Sequence, residues 1–353
     1  MAINLASKYS DKIAAYFTQN SIMKGMGNND YSFEGVKTVK IYTPLTQELN
    51  DYNRTASSNR YGAPKEMQDI IQEMTMTVDK SFSMTIDKGN NEEQLGIKGG
   101  MKMLRMQIDE RVIPAYDKYV LGKLAVEAGI SEVASAALTK SNIVETMANA
   151  MAAMDNALVP QAGRTIIIPS TKYNFLRLST EFVSVDKLGE KSLTKGTVGE
   201  FMGAKVVKAP DSYFPNGVNF MILLSRSYTA PWKINDTKVH QDPPGINGDL
   251  LEGRFIWDAF VIGAKAAGVY VNGASGSKQA DPTITISSGA ATVVSSGASA
   301  IYYTLDGSDP RYSESRQVYT AAVTMASGET IKAVAYADGK LTSSVAEKTN
   351  AAS

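Results

Sequence analysis

The sequence predicts an α+β body followed by a small all-β sandwich. Three observations point there. Helical and strand-like periodicities alternate over residues 1–272, a Gly/Ser-rich stretch interrupts the chain at 273–280, and short β-like runs recur about every ten residues beyond it. A chain of 353 residues leaves room for about two domains at roughly 150 residues each.

Composition narrows the function before any element is placed. The 43% hydrophobic and 20% charged residues are ordinary for a chain with a buried core. Lys+Arg and Asp+Glu are 36 each, so no overall field draws in nucleic acid or an anionic membrane. With no cysteine, disulfides, zinc–thiolate sites, iron–sulfur clusters and cysteine nucleophiles are excluded. The single histidine, His240, rules out a centre needing two imidazoles and lies in a loop-like run, Val239-His240-Gln241-Asp242-Pro243-Pro244. No G-x-S-x-G elbow or glycine-rich phosphate loop is present, and Gly196, Gly199 and Gly203 read as turn and packing glycines. Glu92-Glu93 and Asp109-Glu110 read as helix-surface carboxylates. No catalytic residue, cofactor or metal is assigned, and the chain is not read as an enzyme. Lys8 and Asp11 interrupt the N-terminus, and Asp258 and Lys265 break the apolar stretch from Phe255 to Val271, so neither a signal peptide nor a membrane span is expected. Absence of cysteine suits a reducing cytoplasm.

Along the body, Leu5, Tyr9, Ile13 and Phe17 mark a short amphipathic helix. Val36–Thr43 is a candidate strand. From Met74 the even positions (Met74, Met76, Val78, Lys80, Phe82, Met84, Ile86) are mostly apolar, and the odd ones (Thr75, Thr77, Asp79, Ser81, Ser83, Thr85, Asp87) are polar. This alternation predicts one strand about 45 Å long at ~3.3 Å per residue, antiparallel to Val36–Thr43. The connection, Pro44 to Gln72, is loop-like. A two-stranded ribbon cannot cover its own apolar face, and two readings stay open. Either a second copy of the chain covers it, making Met74, Met76, Val78, Phe82, Met84 and Ile86 inter-subunit contacts, or the run folds onto its own domain as a sheet edge or a hairpin turning near Asp79-Lys80.

From Ile97, apolar residues at Met101, Leu104, Ile108, Val112, Ala115 and Tyr119 predict a long helix, kinked at Pro114. A second helix starts after Ser141 with Ile143, Met147, Met151 and Met154 on one stripe, read as core. Thr165–Ile168 reads as a short buried strand and Lys172–Leu178 as a helix capped by Ser170 or Thr171. In the tail, the expected strands are Thr283–Ser287, Ala291–Val294, Ala300–Leu305, Gln317–Tyr319, Thr330–Ala337 and Leu341–Val345. Asp306 and Asp309 read as an Asx-type turn rather than a calcium site. Tyr302, Tyr312 and Tyr319 are candidate glycan contacts, set against the plainer reading of sandwich tyrosines. The 273–280 stretch reads as flexible coil, so truncation after Ala274 would leave assembly intact.

The body resembles a tailed-phage major capsid protein of the Hong Kong 97 fold. The resemblance rests on Asn50-Asp51-Tyr52, Arg60-Tyr61-Gly62 and Glu73-Met74-Thr75-Met76 with Phe82 to Lys88. It rests also on Gln107 to Asp117, on Gly196-Thr197-Val198-Gly199-Glu200-Phe201-Met202-Gly203 before Lys205-Val206-Val207, and on Trp257-Asp258-Ala259-Phe260-Val261 before Lys265 to Val271. It implies an N-arm at 1–30, an extended E-loop at 31–90 lying across a neighbouring subunit, a P-domain with the spine helix at 91–131 and 232–271, and an A-domain at 132–231. With about 30 residues before the E-loop, a separate scaffold protein or none, and no large cleaved extension, are expected. Lys65 and Lys80 lie where some relatives form Lys–Asn cross-links.

The tail, 281–353, resembles the immunoglobulin-like C-terminal domain of chitobiases and hexosaminidases. It does so through Tyr302-Tyr303-Thr304-Leu305-Asp306-Gly307-Ser308-Asp309-Pro310, Tyr319 and Thr330-Ile331-Lys332-Ala333-Val334-Ala335. Together these imply hexamers and pentamers of the chain itself, forming an icosahedral head shell in the virion, assembled in the host cytoplasm. The implied partners are a scaffold and a portal protein, enclosed double-stranded DNA without sequence-specific contact, and a host-surface glycan at the surface domain. No membrane is implied. An encapsulin-like compartment shell and a carbohydrate-binding accessory protein are the rival readings.

Overall fold

The computed structural model describes residues 20–33, 36–46, 49–62, 64, 66–67, 69–93, 99–179 and 197–351. The helix expected over Leu5–Phe17, and Lys65, Ile97 and Gly196, lie outside the described residues.

The long alternating run is two strands. β1 (Thr38–Pro44) pairs antiparallel with β2 (Asp69–Thr75). The chain then breaks at Met76-Thr77, and β3 (Val78–Asp87) leaves for a different sheet. After the short α1 (Lys88–Glu93) comes the spine. It consists of α2 (Gly100–Gln107), a π-helical turn at Ile108–Val112, and α3 (Ile113–Val126). Pro114 offers no N–H and crowds the turn before it. That turn widens, and the Ile113 N–H donates to the Ile108 carbonyl five residues back. The kink expected at Pro114 is therefore taken up one turn earlier.

The chain continues through β4 (Ile130–Val133), α4 (Ile143–Asn156), β5 (Arg164–Pro169), α5 (Ser170–Leu178), β6 (Thr197–Phe201), β7 (Ala204–Ala209) and β8 (Val218–Leu224). β9 (Tyr228–Thr229), β10 (Trp232–Gln241), β11 (Gly248–Trp257), β12 (Phe260–Val261) and β13 (Val269–Gly273) complete the body. Six strands form a mixed sheet in the order β4-β13-β8-β5-β7-β6. Period-two alternation gives each face its own core. Ile167, Met221, Leu223 and Val271 pack with Tyr116, Val120, Leu121 and Leu124 of α3. Their neighbours Ile166, Ile168, Phe220, Ile222 and Tyr270 pack with Met147, Met151 and Met154 of α4 and Leu176 of α5. The methionine stripe is core. β13 runs inside this sheet, although the resemblance puts its segment with the P-domain. A second, antiparallel sheet has the order β10-β11-β3. There Phe82 lies opposite Gly253, where an added Cβ would come within 2.5 Å of the Phe82 ring.

The C-terminal residues form a seven-stranded sandwich. β14 (Thr283–Ser287), β15 (Ala290–Val294) and the short β18 (Val323–Thr324) make one sheet. β16 (Ala300–Thr304), β17 (Gln317–Val318), β19 (Thr330–Tyr336) and β20 (Ala346–Thr349) make the other. Ile284, Val293, Tyr303, Met325 and Ile331 fill the space between them. The last strand lies five residues later than the sequence pattern suggests, because Leu341 is buried in the body's main core cluster rather than the sandwich's.

The Gly/Ser stretch is not a free linker. The Ala274 N–H donates to Gly217 O (2.6 Å), the Leu341 N–H to Ser277 O (2.8 Å) and the Gln279 N–H to Leu341 O (2.9 Å). Gln279 is buried, its amide donating to Ser295 Oγ and Ser296 O. An added Cβ at Gly273 would meet Ser277 Oγ and Leu341 Cδ1. The small residues here permit close approach rather than motion. Tyr312 and Leu341 of the tail belong to the body's core cluster. Removing residues 275–353 is thus expected to lower the stability of the remaining body by about 3 kcal/mol, the burial contribution of those two side chains together. Urea unfolding of the truncated and full chains would measure it, and equal midpoints would contradict it.

Candidate functional site

The β1–β2 hairpin is an arm whose connecting segment carries large apolar side chains in solvent. Leu49 is 101% exposed, Tyr61 83% and Met67 63%, and Tyr42 in β1 is 64% exposed. Local polar turns order this tip. Asn53 Oδ1 accepts from the Thr55 N–H (3.0 Å), the Thr55 hydroxyl (2.8 Å) and the Ala56 N–H (3.2 Å), while the Asn53 N–H donates to Arg60 O (3.0 Å). The Gly62 N–H donates to Asn59 O with Gly62 at φ 88°, and the Tyr52 and Tyr61 rings meet edge-on at 5.0 Å. Among the described residues of this segment, these side chains stand outside any core and are open to a contact.

Three buried polar side chains seat the arm and the chain before it. Asp258, 1% exposed, follows Trp257 and takes the Thr77 N–H (2.8 Å) and hydroxyl (3.0 Å), the Tyr119 hydroxyl (2.7 Å) and the Ala259 N–H (2.8 Å). It fixes the β2–β3 break against the spine. Gln72 in β2 donates to Val261 O (2.7 Å) and accepts from the Gly263 N–H (2.8 Å), so its amide stands in for a backbone pairing unit. Asp117 in α3 accepts from the Ser21 hydroxyl (2.7 Å) and from the Ile22 and Met23 N–H groups (2.9 and 3.2 Å). Burial pushes the Asp117 carboxyl above its ordinary range, and these three hydrogen bonds only partly oppose it.

The residues expected to touch a sister subunit fall mostly inside their own chain. Met74 (0% exposed) and Met76 (2%) cluster with Phe33 and Phe260. Ile86 packs with Leu104 and Leu251, and the half-buried Met84 lies against the same cluster. Of the two readings left open for this run, the structure thus favours the chain covering itself. Period two says that one face is apolar, but not which surface meets it. Val78 and Phe82 remain half-buried and line a groove of about 330 Å³ between β3 and the spine. The groove is floored by Val112, Ala115, Phe255 and Trp257 and rimmed by Lys80 and Arg111.

The three candidate glycan tyrosines do not share a face. Tyr312 is buried with its hydroxyl on Glu127 O (2.6 Å), and Tyr319 packs on the sandwich core and accepts the Val293 N–H (3.1 Å). Tyr302 is flanked by Tyr336 and the Arg316 guanidinium. Asp306 accepts from the Ser308 N–H and hydroxyl and from the Ser315 hydroxyl, the Asx turn read from sequence. His240 stands on β10 opposite β11, 3.2 Å from Glu252, with both side chains nearly half exposed. Among the described residues no group of three His, Asp or Glu is gathered for a metal, and no helix is long and apolar enough to cross a membrane. Sequence reading gave no site role to Asp258, Gln72, Asp117 or the tip residues. The available signals were an acid set inside an apolar run, as in Trp257-Asp258-Ala259-Phe260, and large apolar residues inside a loop-like composition.

Comparison with known proteins bears on both parts of the chain. Residues 292–350 match the family model described as Fn3 associated. No curated protein matches the sequence. Among solved structures, one from Mycobacterium phage Che8 is 17% identical with a TM-score of 0.60, over 77% of this chain and 98% of that one. The capsid structure of the cyanophage P-SCSP1u is 12% identical with a TM-score of 0.60, over 77% and 93%. The asymmetric unit of the bacteriophage PhiM1 mature capsid is 11% identical with a TM-score of 0.59, over 77% and 92%. The chain therefore has an α+β phage-capsid fold followed by a β-sandwich, and the Hong Kong 97-type expectation for the fold holds.

Asp117 carries a pH dependence. Its carboxyl is raised above the ordinary 3.8, so the native chain holds that proton more tightly than the unfolded one. The associated stability is full below 3.8 and is lost as pH rises through the raised value. Asp117→Asn is expected to flatten this fall, seen as urea midpoints that drop less than those of the wild type as pH rises from 3.8. Parallel curves for the two proteins would contradict it.

Proposed function

We propose that this chain is the major capsid protein of a tailed bacteriophage. It builds the icosahedral head shell from hexamers and pentamers of itself, around double-stranded DNA that it does not read by sequence. The carrying observation is that two of the similar structures, aligned over 93% and 92% of their own lengths, are titled as phage capsids. A fold alone does not fix a function, and the exposed arm supplies the second support. Leu49, Tyr52, Tyr61 and Met67 lose solvent contact only if something covers them, and another copy of the same chain is always at hand. Repeated heterologous contacts that close by rotation give rings of five and six. A net charge of zero suits a wall that encloses DNA without gripping it.

In this reading the role is structural rather than catalytic, and the place is the virion, with assembly in the host cytoplasm alongside a scaffold and a portal protein. The sandwich is an appended surface domain. Its likeness to the chitobiase-type domain rests on Asp306-Gly307-Ser308-Asp309-Pro310, and the burial of Tyr312 and the packing of the half-buried Tyr319 on the sandwich core favour a structural appendage over a glycan-binding one.

Light scattering and electron microscopy of the purified protein test the reading. Closed megadalton particles are expected, and a persistent 38-kDa monomer would refute it. Particles loaded with protein rather than DNA would move the reading to a compartment shell. Leu49→Asp and Tyr61→Ala are expected to leave monomer stability within about 0.5 kcal/mol. Particle yield should fall about tenfold or more, as loss of an aromatic or apolar anchor does at an interface. Equal yields from both variants would show that the tip is not the contact.

A further inference from the structure

The loop from Asp309 to Ser315 leaves the C-terminal sandwich and enters a junction between three parts of the body. Arg311 Nη1 donates to Ala128 O (2.7 Å) and Gly129 O (3.0 Å), just beyond the end of α3. Its Nε and Nη2 hold the Asp309 carboxylate. The Tyr312 hydroxyl donates to Glu127 O (2.6 Å) and the Thr342 hydroxyl to Val126 O (2.5 Å). Four successive carbonyls at the end of the spine thus receive donors from the appended domain. Helix ends leave such carbonyls without intrahelical partners, and a guanidinium there also meets the negative end of the helix dipole.

Two residues further, the same loop reaches the arm. The Glu314 N–H donates to Ile71 O in β2 (3.1 Å), and the Glu314 carboxylate takes Lys40 Nζ in β1 (2.6 Å). Lys40 also meets Glu73 at 3.5 Å. Tyr312 lies against Gly263, where an added Cβ would come 3.0 Å from its own Cβ, and the Gly263 N–H is held by Gln72 of β2. One loop of the sandwich therefore touches the spine's end, both strands of the arm, and the turn at Gly263 that Gln72 holds.

We infer that this loop is a clamp, through which the C-terminal domain fixes the angle between the β1–β2 arm and the spine helix. The arm's meaning rests on the shell reading above, but the clamp is a property of the single chain. Asp258 holds the arm at Thr77, its inner end. Gln72 ties β2 to Val261 and Gly263, and Glu314 adds an anchor that spans both strands of the arm. The sandwich is then a fastener for the arm rather than a loosely displayed module.

Hydrogen exchange on the full-length chain, below its assembly concentration, tests this. Lys40→Ala and Glu314→Ala are each expected to speed exchange in residues 38–44 and 69–75 by about fivefold, the most a half-exposed ion pair permits. The core amides of Ile331 and Ala333 in the sandwich should stay unchanged. The charge swap Lys40→Glu with Glu314→Lys, combined with Glu73→Gln so that no like charge faces position 40, should restore most of the protection. Arg311→Ala should loosen the arm further. If that variant fails to fold, the Lys40 and Glu314 variants decide, because their side chains are 43% and 41% exposed. Unchanged arm exchange beside an intact sandwich would overturn the clamp, even if particles form. Absence of particles from the wild type would overturn the shell reading and leave this result standing.

Discussion

A single buried carboxylate sets the course of the chain at the root of the arm. Asp258 sits in an apolar run and is surrounded by four donors, two of them from Thr77. Leaving such groups unpaired costs about 1–3 kcal/mol each, so the backbone at Thr77 stays with Asp258 and cannot continue the β1–β2 ribbon. Upstream of that point the apolar positions turn toward Phe33 and Phe260, and downstream toward Leu104 and Leu251. The arm, the three-stranded sheet and the spine meet there, and Tyr119 on the spine completes the same cluster.

That constraint relocates the uncovered surface. Alternation in the sequence leaves open what covers the apolar face at 74–86, and most of that face is inside its own chain. Solvent-facing side chains are found instead at the tip, on Leu49, Tyr61 and Met67. The reason for a partner survives with a different address. Phage-capsid likeness and the apolar side chains among the described tip residues are independent of each other, and together they replace the argument from periodicity.

Much of the architecture was legible. The helix stripes within the described residues, the buried Thr165–Ile168 strand and five of the six expected tail strands are found where side-chain period places them, most of them facing a core cluster. Failures cluster where a side chain does something other than fill a core. Pro114 widened the turn before it instead of bending the helix at its own position. Gly273 and its neighbours looked like coil because composition does not distinguish freedom from tight contact. Leu341 was assigned to a strand on hydrophobicity, whereas it plugs the body. Gln72, Asp117 and Asp258 are invisible to patterning because their partners lie about 95 to 190 residues away.

The π turn at Ile108–Val112 has a consequence for length. Five residues there close a loop that an α-helix closes with four, so the spine carries one residue of slack at its middle. Deleting a residue inside that turn would convert it to ordinary helix while α2 and α3 each keep the side they present to the sheets. Elsewhere along the spine the same deletion would rotate everything beyond it by about 100°. Among the described helices, this one has a built-in place where its span can be retuned without rewriting its contacts.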